Sequence, residues 1–427
     1  MPFRIALSGL AAASTDLEVS GHNIANAATN GFKQSRAEFA DIYATSIQDV
    51  SATSAGRGVR VSRVSQQFGQ GNIDFTSNNL DIAINGEGFF VLEDIAGNTS
   101  YTRSGAYTTD RNGYVNNHNG DRLQVFAPVG NSFTDFNTGE TIDLQLPTLS
   151  GSPSATGNVD AAVNLSASET QPILAFDPTN GETYNHSTST TIYDSLGAAH
   201  TMTMYYVKTA NPGEWDAYTY VDGTGLANNV TPNGVAYPPA APVAAQLTFD
   251  SAGALVPSVG DVSATGTVSY TAYPPGGGAA DINLVFDYAN TTQYGTDFSV
   301  NNLTQNGFTA GRLSGVDIDN TGVVFARFTN GQSLALGKIA MAKFNNPQGL
   351  RQLGDTSWAE TFTSGDVQLG EAGTSSFGLF QSGGLENSNV DIAEQLVNLI
   401  TAQRNFQANA QVITTADAVT QTIINIR

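Results

Sequence analysis

Residues 388–427 read SNVDIAEQLVNLITAQRNFQANAQVITTADAVTQTIINIR, and the spacing of their apolar residues decides the fold. Ser388 reads as a helix N-cap with acidic Asp391 three positions on. Beyond it Ile392, Leu396, Leu399, Phe406, Ala410, Ile413 and Ile424 lie on one 4,3 repeat, interrupted at Gln403, Asp417 and Thr420. A second stripe, Ala416, Val419, Ile423 and Ile426, carries the apolar face to within one residue of Arg427. Such a helix is on the order of 55 Å long at 1.5 Å per residue, too long for an ordinary helix in a compact domain. It needs a partner. Its remaining positions are mostly amides, Thr and Ala, including Gln395, Asn398, Asn405, Asn409 and Gln411. A solvated helix face carries Glu and Lys instead. Amides can hydrogen-bond across a helix contact without the desolvation cost of buried charge, so both faces are suited to lie against neighbours. A two-helix coiled coil within one molecule satisfies the same pattern.

The other end mirrors this one. Phe3, Leu7, Leu10, Leu17 and Ile24 fall on a 4,3 repeat completed by Ser14 and Gly21, which predicts a helix from about residue 3 to Asn30, closed by Asn30-Gly31. Arg4 before Ile5–Ala13 has the look of a short secretory signal, but Ser8 and Gly9 break the apolar run and the helical spacing continues through it. Narrow apolar stripes of this kind are marginal as isolated helices, so both ends are expected to be largely disordered in a free monomer and to fold as copies stack.

Between the ends the period switches to two. Asp74–Thr76, Leu80–Ile84 before Asn85-Gly86, and Gly88–Leu92 read as strands, with Asn112-Gly113, Asn119-Gly120 and Asn330-Gly331 as hairpin turns. Asp319–Gly322 reads as a longer loop before the strand Val323–Phe328. A linker is expected at Pro147–Pro153, followed by strands at Thr190–Tyr193 and His200–Val207 and by Pro- and Gly-rich loops at 231–243 and 274–278. A return near Gln293–Thr296 leads back to strands over 316–344. The expected plan is mainly β with a terminal α-helical coiled coil, an elongated multidomain chain of nested β-domains. Helices 1–33 and 386–427 pair at one pole as an inner layer; 34–70 and 355–385 form an extended connecting region; 71–149 with 291–354 make one β-domain; and 150–290 make an inserted outer β-domain.

The 427 residues are strongly acidic, with 38 Asp and Glu against 17 Lys and Arg, and the excess lies in the middle. Residues 1–70 hold six basic and five acidic groups, whereas 71–385 hold nine and 29. This argues against nucleic acid or an anionic membrane as partner, and it suits an assembly with near-neutral packed ends and a soluble acidic exterior. No run of 18 apolar residues occurs. With no cysteine, disulfides and thiol chemistry are excluded. The four histidines, His22, His118, His186 and His200, are scattered without metal-ligand spacing. Asp317–Gly322 begins like a calcium loop, but Phe328 stands where a bidentate Glu is required, so a turn is the better reading. Gly86-Glu87-Gly88 and Gly276-Gly277-Gly278 lack the context of a phosphate cradle. No catalytic, cofactor-binding or metal-binding residue is assigned, and no cofactor is expected.

The residues at the two ends carry a resemblance. Ser8-Gly9-Leu10 and Ser20-Gly21-His22-Asn23-Ile24-Ala25-Asn26-Ala27-Ala28-Thr29-Asn30-Gly31-Phe32-Lys33 are similar to the N-terminal signature of the rod, hook and hook-associated axial proteins of the bacterial flagellum. Leu385–Asp391 and the helix after it resemble that family's closing segment, and Thr191–His200 resembles the outer β-domain of its hook members. The resemblance implies a non-enzymatic structural subunit that polymerises under a cap into a curved, hollow tube, a universal joint passing motor torque to the filament. It implies an extracellular place in the flagellar hook, export through the flagellar type III apparatus without a cleaved signal, and contacts with distal rod and hook–filament junction proteins. Helix-seam anchors for assembly are expected at Leu7, Leu10, Leu17, Ile24, Leu396, Leu399, Phe406, Ile413 and Ile424. The family motif is carried by Ser20, His22, Asn23, Ile24, Asn26, Thr29, Gly31 and Phe32. A distal-rod or hook-associated protein is the alternative within the family, distinguished by the shape of the tubes it forms. A secreted β-rich adhesin or hydrolase with a helical oligomerisation stalk is the alternative outside it; paired helices at both termini speak against a one-ended stalk.

Overall fold

The computed structural model describes residues 2–42, 56–130, 133–148, 151–228, 243–374 and 376–425. The chain divides into two units: Met1–Thr148 with Ser314–Arg327 and Ser333–Arg427, and Leu149–Leu313 with Phe328–Gln332. The 231–242 part of the loop expected at 231–243, and the last two positions of the C-terminal helix, lie outside the described residues.

In the first unit, helix α1 (Pro2–Ala25) packs along helix α2 (Ile392–Asn425). Helix α1 stops five residues before Asn30. The Asn26 N–H is shared between the carbonyls of His22 and Asn23, and the chain passes into turns that end at Gly31, whose φ is +71°. At the start of α2, Asp391 rather than Ser388 is the cap: its Oδ1 accepts from the N–H groups of Ala393 at 2.8 Å and Glu394 at 3.3 Å. Ser388 Oγ accepts from Val390 instead.

After α1, β1 (Ser35–Asp41) pairs antiparallel with β2 (Val59–Gln66) across a bulge at Glu38/Phe39, and α1 lies against both. The segments expected as an extended connection are therefore paired strands in their described parts. The same holds at 355–385. Ser357–Ala359 pairs with Thr99–Thr102, Gln368–Gly370 with Met341–Lys343, Leu379–Ser382 with Ile82–Asn85, and Gly384–Glu386 with Ile73–Phe75. A branched sheet runs from Ser333–Ile339 through Arg122–Pro128, Phe89–Glu93 and Thr99–Thr102 to Ser357–Ala359. Its core is aromatic: Phe89, Tyr101, Phe344 and Trp358 meet edge to face at 4.8–6.0 Å.

Among its described residues the second unit holds two sheets. One orders Thr267–Ser269, Val285–Asp287, Asn158–Asn164 and Ser299–Gln305; the other is the meander His186–Tyr193, Ala199–Lys208 and Glu214–Val221, with Ala245–Thr248 on the last strand. Alternation along Ala199–Lys208 turns Met202, Met204 and Tyr206 into a single core with Trp215, Tyr270, Phe286 and Tyr288. Ser299–Gln305 pairs with Asn158–Asn164, so this unit runs on to Leu313 and does not end at 290 as expected.

One turn recurs through both units. At Asp94, Asp110, Asn117, Asp194, Asp250 and Asp319 a side-chain Oδ1 accepts the N–H groups two and four residues on, and a glycine three residues on takes positive φ. Asn112-Gly113 and Asn119-Gly120 are thus the second half of longer turns, not two-residue hairpin loops. At Asp319 the carboxylate is engaged by Thr321 and Val323 of its own loop, which is the turn reading of that segment.

Candidate assembly interface

The two helices run antiparallel, and two contacts fix their register. Asn23 Nδ2 donates to Gln395 Oε1 at 3.0 Å. Near the other end Gly9 faces Asn409 so closely that a Cβ there would stand 2.5 Å from Asn409 Oδ1. Fourteen residues separate the two contacts on each helix, which is two heptads and keeps one face of each helix against the other. On α1 the buried residues are Ala6, Ala12, Ala13, Ser20 and Asn23; on α2 they are Gln395 and Ala402, with Leu399, Phe406, Asn409, Ile413 and Ala416 half-buried in step.

This corrects the seam read from the sequence. Leu399, Phe406 and Ile413 lie on the inward side of α2, and Leu10, Leu17 and Ile24 are half-buried. Leu7, Leu396 and Ile424 are exposed, Leu7 by 61%. The inward positions are taken by small and amide residues one step away, because these allow the two backbones to approach. Several larger apolar residues are left outside. Phe3 and Ile5 on α1, and Ile392, Leu396, Val397, Ile400, Val412, Val419 and Ile424 on α2, are exposed as well. An apolar face of this extent marks a contact surface.

At the base of the helices the motif residues form a buried polar knot. Asn23 accepts the Ser35 N–H at 2.9 Å and donates to the Ser35 carbonyl at 2.8 Å. Lys33, fully buried, donates to Glu386 Oε1 at 2.6 Å and to the Gly69 carbonyl. Arg103 Nε donates to Glu386 Oε2 at 2.8 Å, and the Gly71 N–H closes on Oε1. Burial pushes the Lys33 ammonium below its usual pKa and the neighbouring Arg103 adds to this, with Glu386 opposing both. Asn389 accepts from the Gln34 N–H and donates to the carbonyls of Gln67 and Gly69. Gly31 packs on the backbone of Arg103 and Ser104, where a Cβ would stand 2.4 Å from the Ser104 nitrogen, and its N–H meets the Glu386 carbonyl.

Of the other motif residues, Ser20 and Phe32 are buried, Ile24 is half-buried, His22 is exposed with its ring 5.5 Å from Phe32, and Asn26 links the His22 carbonyl to Thr29. Ser8 accepts the Val59 N–H. The sequence reading missed the Lys33–Glu386–Arg103 cluster. Its one signal was a lysine closing an otherwise uncharged motif in a chain poor in basic residues. Among the described residues no cluster of three or more His, Asp or Glu is arranged for a metal, and no helix is long and apolar enough to cross a membrane.

Family models match along the chain: flagella basal body rod protein over residues 3–33, the flagellar hook protein FlgE/F/G D1 domain over 83–161, the flagellar basal body protein FlaE D2 domain over 158–308, and the flagellar basal body rod FlgEFG protein C-terminal segment over 381–426. The chain is 36% identical over 432 residues to the flagellar hook protein FlgE of Escherichia coli, with the whole of both chains covered. The chain belongs to the flagellar hook protein family. The hook protein FlgE of Borreliella burgdorferi is 31% identical over 453 residues, covering 99% of this chain and 98% of that one. The crystal structure of Helicobacter pylori flagellar hook protein FlgE2 superposes with a TM-score of 0.51 at 14% identity, over 72% of this chain and 99% of that chain, a likeness of fold. As a member of the hook protein family the chain is a structural subunit of the flagellar hook, external to the cell.

Proposed function

We propose that copies of this chain polymerise through their terminal helices into a curved, hollow tube that acts as a universal joint between motor and filament. The observation that carries this is the division of labour on the helices: small and amide residues close the pair within one chain, and the exposed apolar residues, Leu7, Leu396 and Ile424 among them, await sister copies. Burying such side chains contributes about 1.5–3 kcal/mol each, enough to drive stacking against the entropy of ordering the ends. Leu10, Leu17, Ile24, Leu399, Phe406 and Ile413 then serve both the pair and the neighbour. The strongly acidic second unit makes weaker polar contacts that slide as the tube bends, while the helical layer stays continuous.

The same reading has the chain exported by the flagellar apparatus without a cleaved signal and assembled beneath a cap. Distal rod and junction proteins cover the two ends of the polymer. The role is non-catalytic. The test is electron microscopy of the purified chain at raised salt with circular dichroism of the dilute monomer. Curved tubes, and helix content that rises on assembly, are expected; straight tubes, or none, count against the hook reading.

A further inference from the structure

Phe362 has its side chain wholly in solvent, yet the turn that carries it is tightly held. Thr361 Oγ1 donates to the Gly349 carbonyl at 2.5 Å, the Thr361 N–H to Ser364 Oγ at 2.9 Å, and Asn346 Nδ2 to the Thr363 carbonyl at 2.9 Å. A rigid turn that holds an aromatic ring away from its own chain is prepaid for a contact elsewhere, since little entropy remains to be lost on binding.

The same unit contains an open cavity of about 500 Å³ lined by Phe68, Phe89 and Phe344, with Lys33, Arg103 and Lys343 supplying charge. Phe68 and Phe344 stand 5.5 and 6.0 Å from Phe89, edge to face, an arrangement that suits one more ring. Its three cations face two carboxylates, Glu386 and Glu87, which leaves it one positive charge in a chain of net −21. Phe362 is flanked by Glu360 and Asp366. Ring and charge complement the cavity together.

We propose that Phe362 of one copy seats in this cavity of a second copy. The inference rests on the polymer reading above and names a specific contact within it. In the polymer the contact runs head to tail: each copy offers its ring to one neighbour and its cavity to another, so the contact propagates from copy to copy.

The unsubstituted chain is first polymerised at raised salt. Phe362→Ala then raises the concentration needed for polymerisation about tenfold or more, with Trp358 fluorescence and circular dichroism of the monomer unchanged, because the ring touches nothing in its own chain. The absence of cysteine permits a direct second measurement: polymers of Phe362→Cys copies mixed with copies carrying Asn345→Cys, at the exposed rim, give a disulfide-linked pair on oxidation, and dilute mixtures do not. Normal polymers from Phe362→Ala, or mixed polymers without the linked pair, overturn this contact alone. An unsubstituted chain that never polymerises overturns the polymer reading and the contact with it.

Discussion

The helix pair and the second unit solve opposite problems. The second unit buries Trp215, Tyr206, Tyr270, Phe286 and Tyr288 almost completely in one core, and of its 13 acidic and two basic side chains only Asp194, Asp261 and Lys208 are buried. The helices bury Ala, Ser, Asn and Gln, and leave Leu, Val and Ile outside with only Arg4, Asp16, Glu18, Glu394, Arg404 and Asp417 as Lys, Arg, Asp or Glu. Large residues inside and charge outside make a body complete by itself. Small residues inside and apolar residues outside make a body that is complete only among copies. Because Trp215 lies in the second unit and Trp358 in the first, the two can be followed separately by fluorescence.

The largest expected effect separates them at the base of the helices. Glu386→Gln leaves Lys33 and Arg103 buried without their counter-charge, and removing one partner of a buried ion cluster costs about 3–5 kcal/mol. Urea unfolding should lose that much in the Trp358 transition, with the Trp215 transition unmoved. Equal losses in both would show that the units do not unfold independently.

Phe406→Ala comes next. Phe406 is half-buried in the single chain, and on the proposed polymer reading its remaining exposed surface is covered when copies stack. Truncation should therefore abolish polymerisation at concentrations where the unsubstituted chain assembles, while both tryptophan transitions stay within about 1 kcal/mol. Intact tubes from Phe406→Ala would remove this residue from the assembly contact. Asn23→Ala is smaller. It strips the Ser35 N–H of its acceptor and Gln395 of a donor in a buried place, a loss of about 1–3 kcal/mol read as earlier melting of helical circular dichroism.

How much of this was legible follows from the same contrast. The 4,3 repeats announced both helices and put Leu399, Phe406 and Ile413 on the inward side, but they did not show the residues that close the pair, Gly9, Ala13, Asn23 and Gln395, because these carry no large apolar signal. Their role emerges only once backbone approach is known. Asn-Gly pairs located turns correctly at Gly113 and Gly120 without giving their length, since the deciding Asp110 and Asn117 lie two residues upstream and act through side-chain acceptors. The strand Ser299–Gln305 is largely exposed and reads SVNNLTQ, with too little alternation to be seen, so the second unit was closed too early. The knot at Glu386 joins residues more than 280 positions apart in sequence, which no local pattern records.

The smallest effect sharpens the comparison from the side of the second unit, through its two buried-edge histidines. For His200, burial alone lowers the pKa, but Asp222 at 2.6 Å from Nδ1 and Asp194 near Nε2 outweigh it and hold the ring above its usual 6.5. Its stabilisation is full below 6.5 and fades as pH rises through the folded value. His186 is the reverse: stacked on Phe298 and desolvated, with Glu169 only partly opposing, it sits below 6.5. Its contribution is full above 6.5 and is lost as pH falls through the folded value. The Trp215 transition should therefore be most stable near the ordinary histidine pKa and weaken on both sides. His200→Asn should flatten the alkaline limb and His186→Asn the acid limb, each without changing the pH profile of Trp358. If both limbs survive both substitutions, the carboxylates of the second unit govern its pH response and the histidines are spectators.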